Sequence, residues 1–201
     1  MAGSSTAGRI AKAARRLLDK GGSEAVTMRR VANAVGITPM AVYRHYPDRA
    51  GLLNALADAG FEELSTRLAA ARFSGDLRKR LTKVLDIYLE HALQNPRLFE
   101  LMFLQFREGA RQYPHDFKAG RSPTANLTAE LIQEGVESGY FRKDDSWEIA
   151  FEMGALLQGL IMLYLGGRMG ISSARFRALC HRSLGRYISS PGLLSRRSSS
   201  P

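Results

Sequence analysis

Residues 27–46 read TMRRVANAVGITPMAVYRHY, and this stretch decides the fold. Thr27 is a suitable N-cap for a helix in which Val31, Ala34 and Val35 recur at helical spacing. Gly36 stops that helix at once. Thr38-Pro39 opens the next one, with Thr as N-cap and Pro at the first helical position, where its missing N–H costs nothing. This helix is short, because Pro47 forces a break near Tyr46. Val31, Ala32 and Val35 can pack against Ile37 and Val42, the small Ala32 lets two helices cross closely, and Gly36 supplies the turn between them. Those are the ingredients of a helix-turn-helix. Its second helix would expose Thr38, Met40, Ala41, Arg44 and His45.

The flanking sequence continues in helices. Upstream, Ile10, Ala13, Ala14, Leu17 and Leu18 line one face before Gly21-Gly22 ends the segment. Downstream, Asp48 caps a fourth helix over about 48–72. A fifth, from Leu77, ends at Asn95-Pro96, and a very apolar sixth runs from about Arg97 to Glu108. Residues 109–121 read as a loop. Ser122-Pro123 opens a seventh helix closed by Gly139. Asp145 and Glu148 have capping-box spacing and open an eighth to about Leu165. A ninth spans about Ser173 to Ile188. The expectation is an all-α chain of about nine helices: a helix-turn-helix domain over 1–52, a larger helical domain over 53–190, and a disordered basic tail over 191–201.

Composition narrows the function classes. The 201 residues are 45% hydrophobic and 24% charged, typical of a globular chain rather than a disordered or collagen-like one. One cysteine excludes a disulfide framework and the usual cysteine-based zinc sites. The uncharged stretch Met153–Gly167 is 15 residues, short for a bilayer span, and no secretory leader is read, so a cytoplasmic protein without membrane contact is expected. The net charge of +10 favours anionic partners. It is unevenly placed: residues 1–50 hold nine Lys/Arg against three Asp/Glu, and residues 168–201 hold seven arginines and no acid. The N-terminal excess falls on the helix-turn-helix segment and the helix before it.

The chemistry of residues 27–49 suits that role. A major groove admits one α-helix, and short side chains at its start permit close approach to base edges. Thr27, Thr38 and Tyr43 are neutral donors, and Arg29, Arg30, Arg44 and Arg49 are charged ones. The same pattern also fits a small helical bundle with solvated arginines.

Residues 8–60 resemble the N-terminal DNA-binding domain of the TetR family of transcriptional regulators. The resemblance rests on the first helix ending in Gly21-Gly22, the Val26-Thr27 start, Val31-Ala32 before Gly36-Ile37, and above all Val42-Tyr43-Arg44-His45-Tyr46-Pro47-Asp48-Arg49-Ala50-Gly51-Leu52. It implies that Thr27, Tyr43, His45 and Arg49 hold the phosphate backbone, while Arg29, Thr38, Pro39, Met40 and Ala41 face base edges. Met40 stands where many members carry Gly. It adds an apolar arm that can touch a thymine methyl.

The resemblance further implies a C-terminal ligand-binding and dimerisation domain. The expected pocket for a small apolar or aromatic effector draws on Tyr88, Phe99, Met102, Phe103, Phe106, Phe151, Leu157 and Gln158, although the same residues fit plain core. The last two helices fit a homodimer interface through Gly154, Leu156, Leu160, Leu163, Phe176, Leu179, Leu184 and Tyr187. The function expected is a ligand-responsive regulator, a repressor on a palindromic double-stranded operator, without cofactor, metal or catalysis. The alternatives are a helical enzyme and a sequence-blind nucleoid-type DNA-binding protein. No two of His45, His91, His115 and His181 are spaced to share a metal on one helix face.

Overall fold

The structure, a computed structural model, describes residues 5–189; the tail expected over 191–201 lies outside the described residues. Among the described residues the regular elements are ten α-helices and one 3-10 turn, Ser23–Ala25. The helices are α1 (Thr6–Gly21), α2 (Met28–Val35), α3 (Pro39–Tyr43), α4 (Arg49–Ala70), α5 (Leu77–Gln94), α6 (Pro96–Phe103), α7 (His115–Lys118), α8 (Pro123–Glu137), α9 (Ser146–Leu165) and α10 (Ser173–Ile188). The all-α expectation holds, with two differences in detail. The expected loop over 109–121 contains the single turn of α7. The sixth helix stops at Phe103 rather than near Glu108, because the amides of Leu104 and Gln105 both return to the Glu100 carbonyl and close the helix.

The chain forms two compact units. The first holds residues up to Glu63 together with His91–Ala110; the second holds Leu64–Glu90 and the chain from Arg111 onward. The boundary expected at residue 52 falls inside the first unit, within α4.

In the first unit the apolar faces of α1, α2, α3 and α4 meet around one core that includes Ile10, Ala14, Leu18, Val31, Ala32, Val42, Leu52 and Leu56. Leu98, Leu101 and Met102 of α6 belong to the same core. Gly60 makes room for them: a Cβ there would stand 2.6 Å from the Met102 sulfur. Helix ends are set locally. Ser5, Thr27 and Thr38 each accept a hydrogen bond from the backbone amide three residues on. Gly36, at φ 75°, takes the left-handed conformation that turns α2 towards α3.

In the second unit Leu64 and Leu68 of α4 pack with Ile87 of α5, bordered by Val84, Tyr88 and Leu127. Asp145 caps α9 by accepting from the amides of Trp147 and Glu148. Tyr164 of α9 stacks on Phe176 of α10, with centroids 4.1 Å apart. Helix α9 is 20 residues long, with a mean hydropathy of 1.4 over its most apolar 18, and 28% of that window is buried. By length and composition alone it is long enough to cross a membrane, which the 15-residue uncharged stretch had not suggested. Phe151, Leu156, Met162 and Leu163 are left exposed along it.

Candidate nucleic-acid interface

The turn between α2 and α3 is rigid for simple reasons. Val31, Ala32 and Val42 are fully buried, which fixes the two helices face to face. The amides of Gly36 and Ile37 both bond to the Ala32 carbonyl, closing the end of α2. Arg9 of α1 donates from Nη2 to the Val35 carbonyl at 2.8 Å and covers the same end from outside.

Locked in this way, the helix pair presents a polar face. Arg29, Thr38, Pro39, Met40, Tyr43 and His45 are all exposed, and Met40 shows 66% of its surface. Thr27 and Ala41 are half-buried. Arg30, Asn33 and Arg44 are exposed as well, and Asn33 on α2 is the one that sequence reasoning passed over. No acidic residue lies between Glu24 and Asp48. The Thr27 and Thr38 hydroxyls accept bonds from their own helices through oxygen, which leaves each O–H free to donate outward. Thr38, Pro39 and Met40 stand at the start of α3, where a helix entering a groove meets base edges first.

Arg49 behaves differently from the rest of the set. Its Nε donates to the Val26 carbonyl at 2.8 Å and its Nη2 to the Ser23 carbonyl at 2.7 Å. One edge of the guanidinium is thus engaged with the chain itself.

Arginines and hydroxyls on an acid-free helix-turn-helix face are what a duplex-reading head needs. Residues 10–56 match the model for bacterial regulatory proteins of the tetR family, and residues 81–187, more than half the chain, match that for a tetracyclin repressor-like C-terminal domain. The chain belongs to the TetR family. Over 82 residues it is 33% identical to nucleoid occlusion factor SlmA of Photobacterium profundum, covering 40% of this chain and 42% of that one. Over 102 residues it is 31% identical to the class A tetracycline repressor protein from transposon 1721 of Escherichia coli, covering 51% and 42%. The chain thus spans less than half the length of these curated relatives. A Rhodococcus sp. RHA1 protein of unknown function superposes with a TM-score of 0.71 at 26% identity, covering 88% of this chain and 92% of that one. Both matched models describe regulatory proteins, which points to a regulator rather than an enzyme.

The residues expected at an effector pocket are spread over both units. Phe99, Met102 and Phe103 lie in the first unit, where Met102 is core and Phe103 packs on that core. Phe106, also in the first unit, is 96% exposed and lines no interior. In the second unit the Tyr88 hydroxyl is buried near Gln158, and burial pushes its pKa upward. Leu157, next to Gln158 in sequence, is buried, while Phe151 is exposed and stacks on Tyr113 at 4.2 Å. Phe117 meets Phe151 edge-on, an aromatic group that sequence spacing did not signal.

The expected interface residues also separate. Leu156 and Leu163 are exposed, and Gly154, Leu160, Leu179 and Tyr187 are half-buried. Tyr187 donates to Glu152, and its hydroxyl pKa is raised by burial and by that carboxylate. Phe176 and Leu184 are buried within the subunit itself, at 0% and 3% exposure, so they form core between its own helices. A core face and an interface face carry the same apolar spacing, and sequence alone does not separate them.

Proposed function

We propose that this TetR-family protein is a cytoplasmic, ligand-responsive repressor that holds a palindromic operator as a homodimer and releases it when a small apolar or aromatic effector binds. The observation that carries this reading is the exposed, acid-free face of α2 and α3. On it Arg29, Thr38, Pro39, Met40 and Ala41 address base edges, while Thr27, Tyr43 and His45 address phosphates. Two copies would place two such helices in successive major grooves.

The dimer reading is supported by the apolar surface of α9, where Leu156, Met162 and Leu163 are exposed and Gly154 and Leu160 are half-covered. Burying such a strip against a second copy removes apolar area from water. Tyr88, packed against Leu64, Leu68 and Ile87 with Gln158 near its hydroxyl, suits the anchor of a greasy or planar effector. An effector moves the protein off DNA only by binding one state better than the other.

The test is selection of 30-base-pair duplexes from a random library, with the mass in solution measured by light scattering. An enriched palindromic motif and twice the chain mass are expected. A second reading, sequence-tolerant nucleoid binding, is favoured by the similarity to a nucleoid occlusion factor. Binding without an enriched motif would select it and overturn the repressor reading. A strict monomer at micromolar concentration would overturn the two-half-site mechanism.

A further inference from the structure

We propose that Arg49 and Gln105 are positioning residues that clamp the turn Ser23–Val26 from two sides and so fix where α2 begins. This rests on α2 and α3 being the DNA-reading face.

The turn runs from the Gly22 stop of α1 to the Thr27 cap of α2. Two internal bonds hold it: the Ala25 amide to the Gly22 carbonyl at 3.1 Å and the Val26 amide to the Ser23 carbonyl at 3.0 Å. Its further support comes from residues distant in sequence. Arg49, the first residue of α4, sends Nε to the Val26 carbonyl at 2.8 Å and Nη2 to the Ser23 carbonyl at 2.7 Å. Gln105, two residues past α6, donates from Nε2 to the Ser23 hydroxyl at 3.0 Å. Ser23 is therefore gripped at its main chain by one helix and at its side chain by the segment after another.

The chemistry explains why an arginine stands at 49. A guanidinium edge presents two parallel N–H groups and can serve two carbonyls at once; an ammonium cannot reproduce that fork. The additional contact to Glu24 at 3.2 Å involves a carboxylate that is almost wholly exposed, so it adds little. Val26 is fully buried and immediately precedes Thr27, and Arg29 follows two residues later. Base-reading groups need placement to about half an ångström, and only a held backbone supplies it. The family pattern suggests a phosphate contact for Arg49; the geometry engages its working edge inward.

The test uses the full chain with Arg49→Lys, Gln105→Ala and Ser23→Ala. Two readouts are taken: backbone amide exchange over residues 26–31 in the free protein, with α1 as internal reference, and Kd against salt for a 30-base-pair duplex selected by the wild type. Arg49→Lys is expected to speed exchange and weaken binding about tenfold, the scale of one or two such bonds, with the salt slope unchanged. Gln105→Ala should give a smaller loss of the same kind. Ser23→Ala should reproduce it, and the double variant should be no worse than either single one. Wild-type affinity and exchange in Arg49→Lys would overturn the clamp, as would a salt slope flattened by about one in Arg49→Ala, the mark of a lost phosphate contact. Unchanged exchange in Gln105→Ala would overturn its half. Should the Arg49 variants not fold, the Gln105 and Ser23 pair still decides. If the wild type bound no duplex, the DNA reading would fail while exchange still judged the clamp.

Discussion

Arg80 Nη1 donates to Glu134 Oε2 at 2.7 Å, and its Nη2 bonds the other carboxylate oxygen, so a two-toothed pair fastens α5 to α8 in the second unit. The Arg80 hydrogen bonds hold the Glu134 pKa below the ordinary glutamate value of 4.5. The unfolded chain therefore binds this proton more readily than the folded one, and the pair's contribution is complete above pH 4.5. It fades as pH falls through the lowered folded value. Because Glu134 is half-exposed, the effect is modest. Urea midpoints for the wild type and Glu134→Gln should differ above pH 5 and converge on acidification. A difference that stays constant down to pH 3 would show that the pair does not titrate as described.

Gly135 on α8 is a place where helix propensity points the wrong way. Alanine is the better helix former by about 1 kcal/mol. Yet a Cβ at this position would stand 2.6 Å from Leu77 Cδ2 and 2.7 Å from Phe141 Cε2. Phe141 is 1% exposed, and its planar ring has nowhere to retreat. Overpacking of this kind costs about 1–3 kcal/mol. Gly135→Ala should lower stability by a net of up to about 2 kcal/mol in chemical denaturation. An equal or raised midpoint would mean that the ring yields.

Helix starts were readable because they depend on neighbours in sequence. Thr27, Thr38 and Asp145 cap where their spacing indicates. The placement of α6 was not readable. It is apolar on several sides, so no period says which unit it joins, and only Gly60 opposite Met102 and Leu98 shows where it goes. The inward bonds of Arg49 were hidden for another reason. Its partners are main-chain carbonyls in a turn more than twenty residues away, and no residue type marks a carbonyl in a sequence. Phe106 and Phe176 carry equal apolarity yet end at opposite extremes of exposure, because burial is decided by what faces them.

Cys180 tests the interior of the second unit chemically. It lies on α10 with no exposed surface, and burial pushes its thiol up to about 11. The thiolate is the reactive form, so a raised value and a closed surround both suppress alkylation and disulfide exchange. At pH 8 a disulfide reagent should leave the native protein almost untouched and titrate one thiol per chain in urea. Native-state reaction at the rate of free cysteine would show that α10 opens readily from its neighbours.

Met40 offers the sharpest test of the reading face. It is the second residue of α3 and, at 66% exposure, reaches outward with a flexible, unbranched side chain. Against a base edge it can touch only an apolar group, and the thymine methyl is the one the major groove provides. Met40→Gly should therefore blur the selected motif at one position in each half-site. Glycine also loosens a helix, by up to about 1 kcal/mol, which would weaken binding to every sequence alike. Met40→Ala separates the two effects, since alanine keeps the helix and removes the arm. The expected result is that alanine and glycine blur the same position and only glycine lowers affinity overall. A motif unchanged in Met40→Ala would remove Met40 from the base-facing set and leave specificity to Arg29, Thr38 and Pro39.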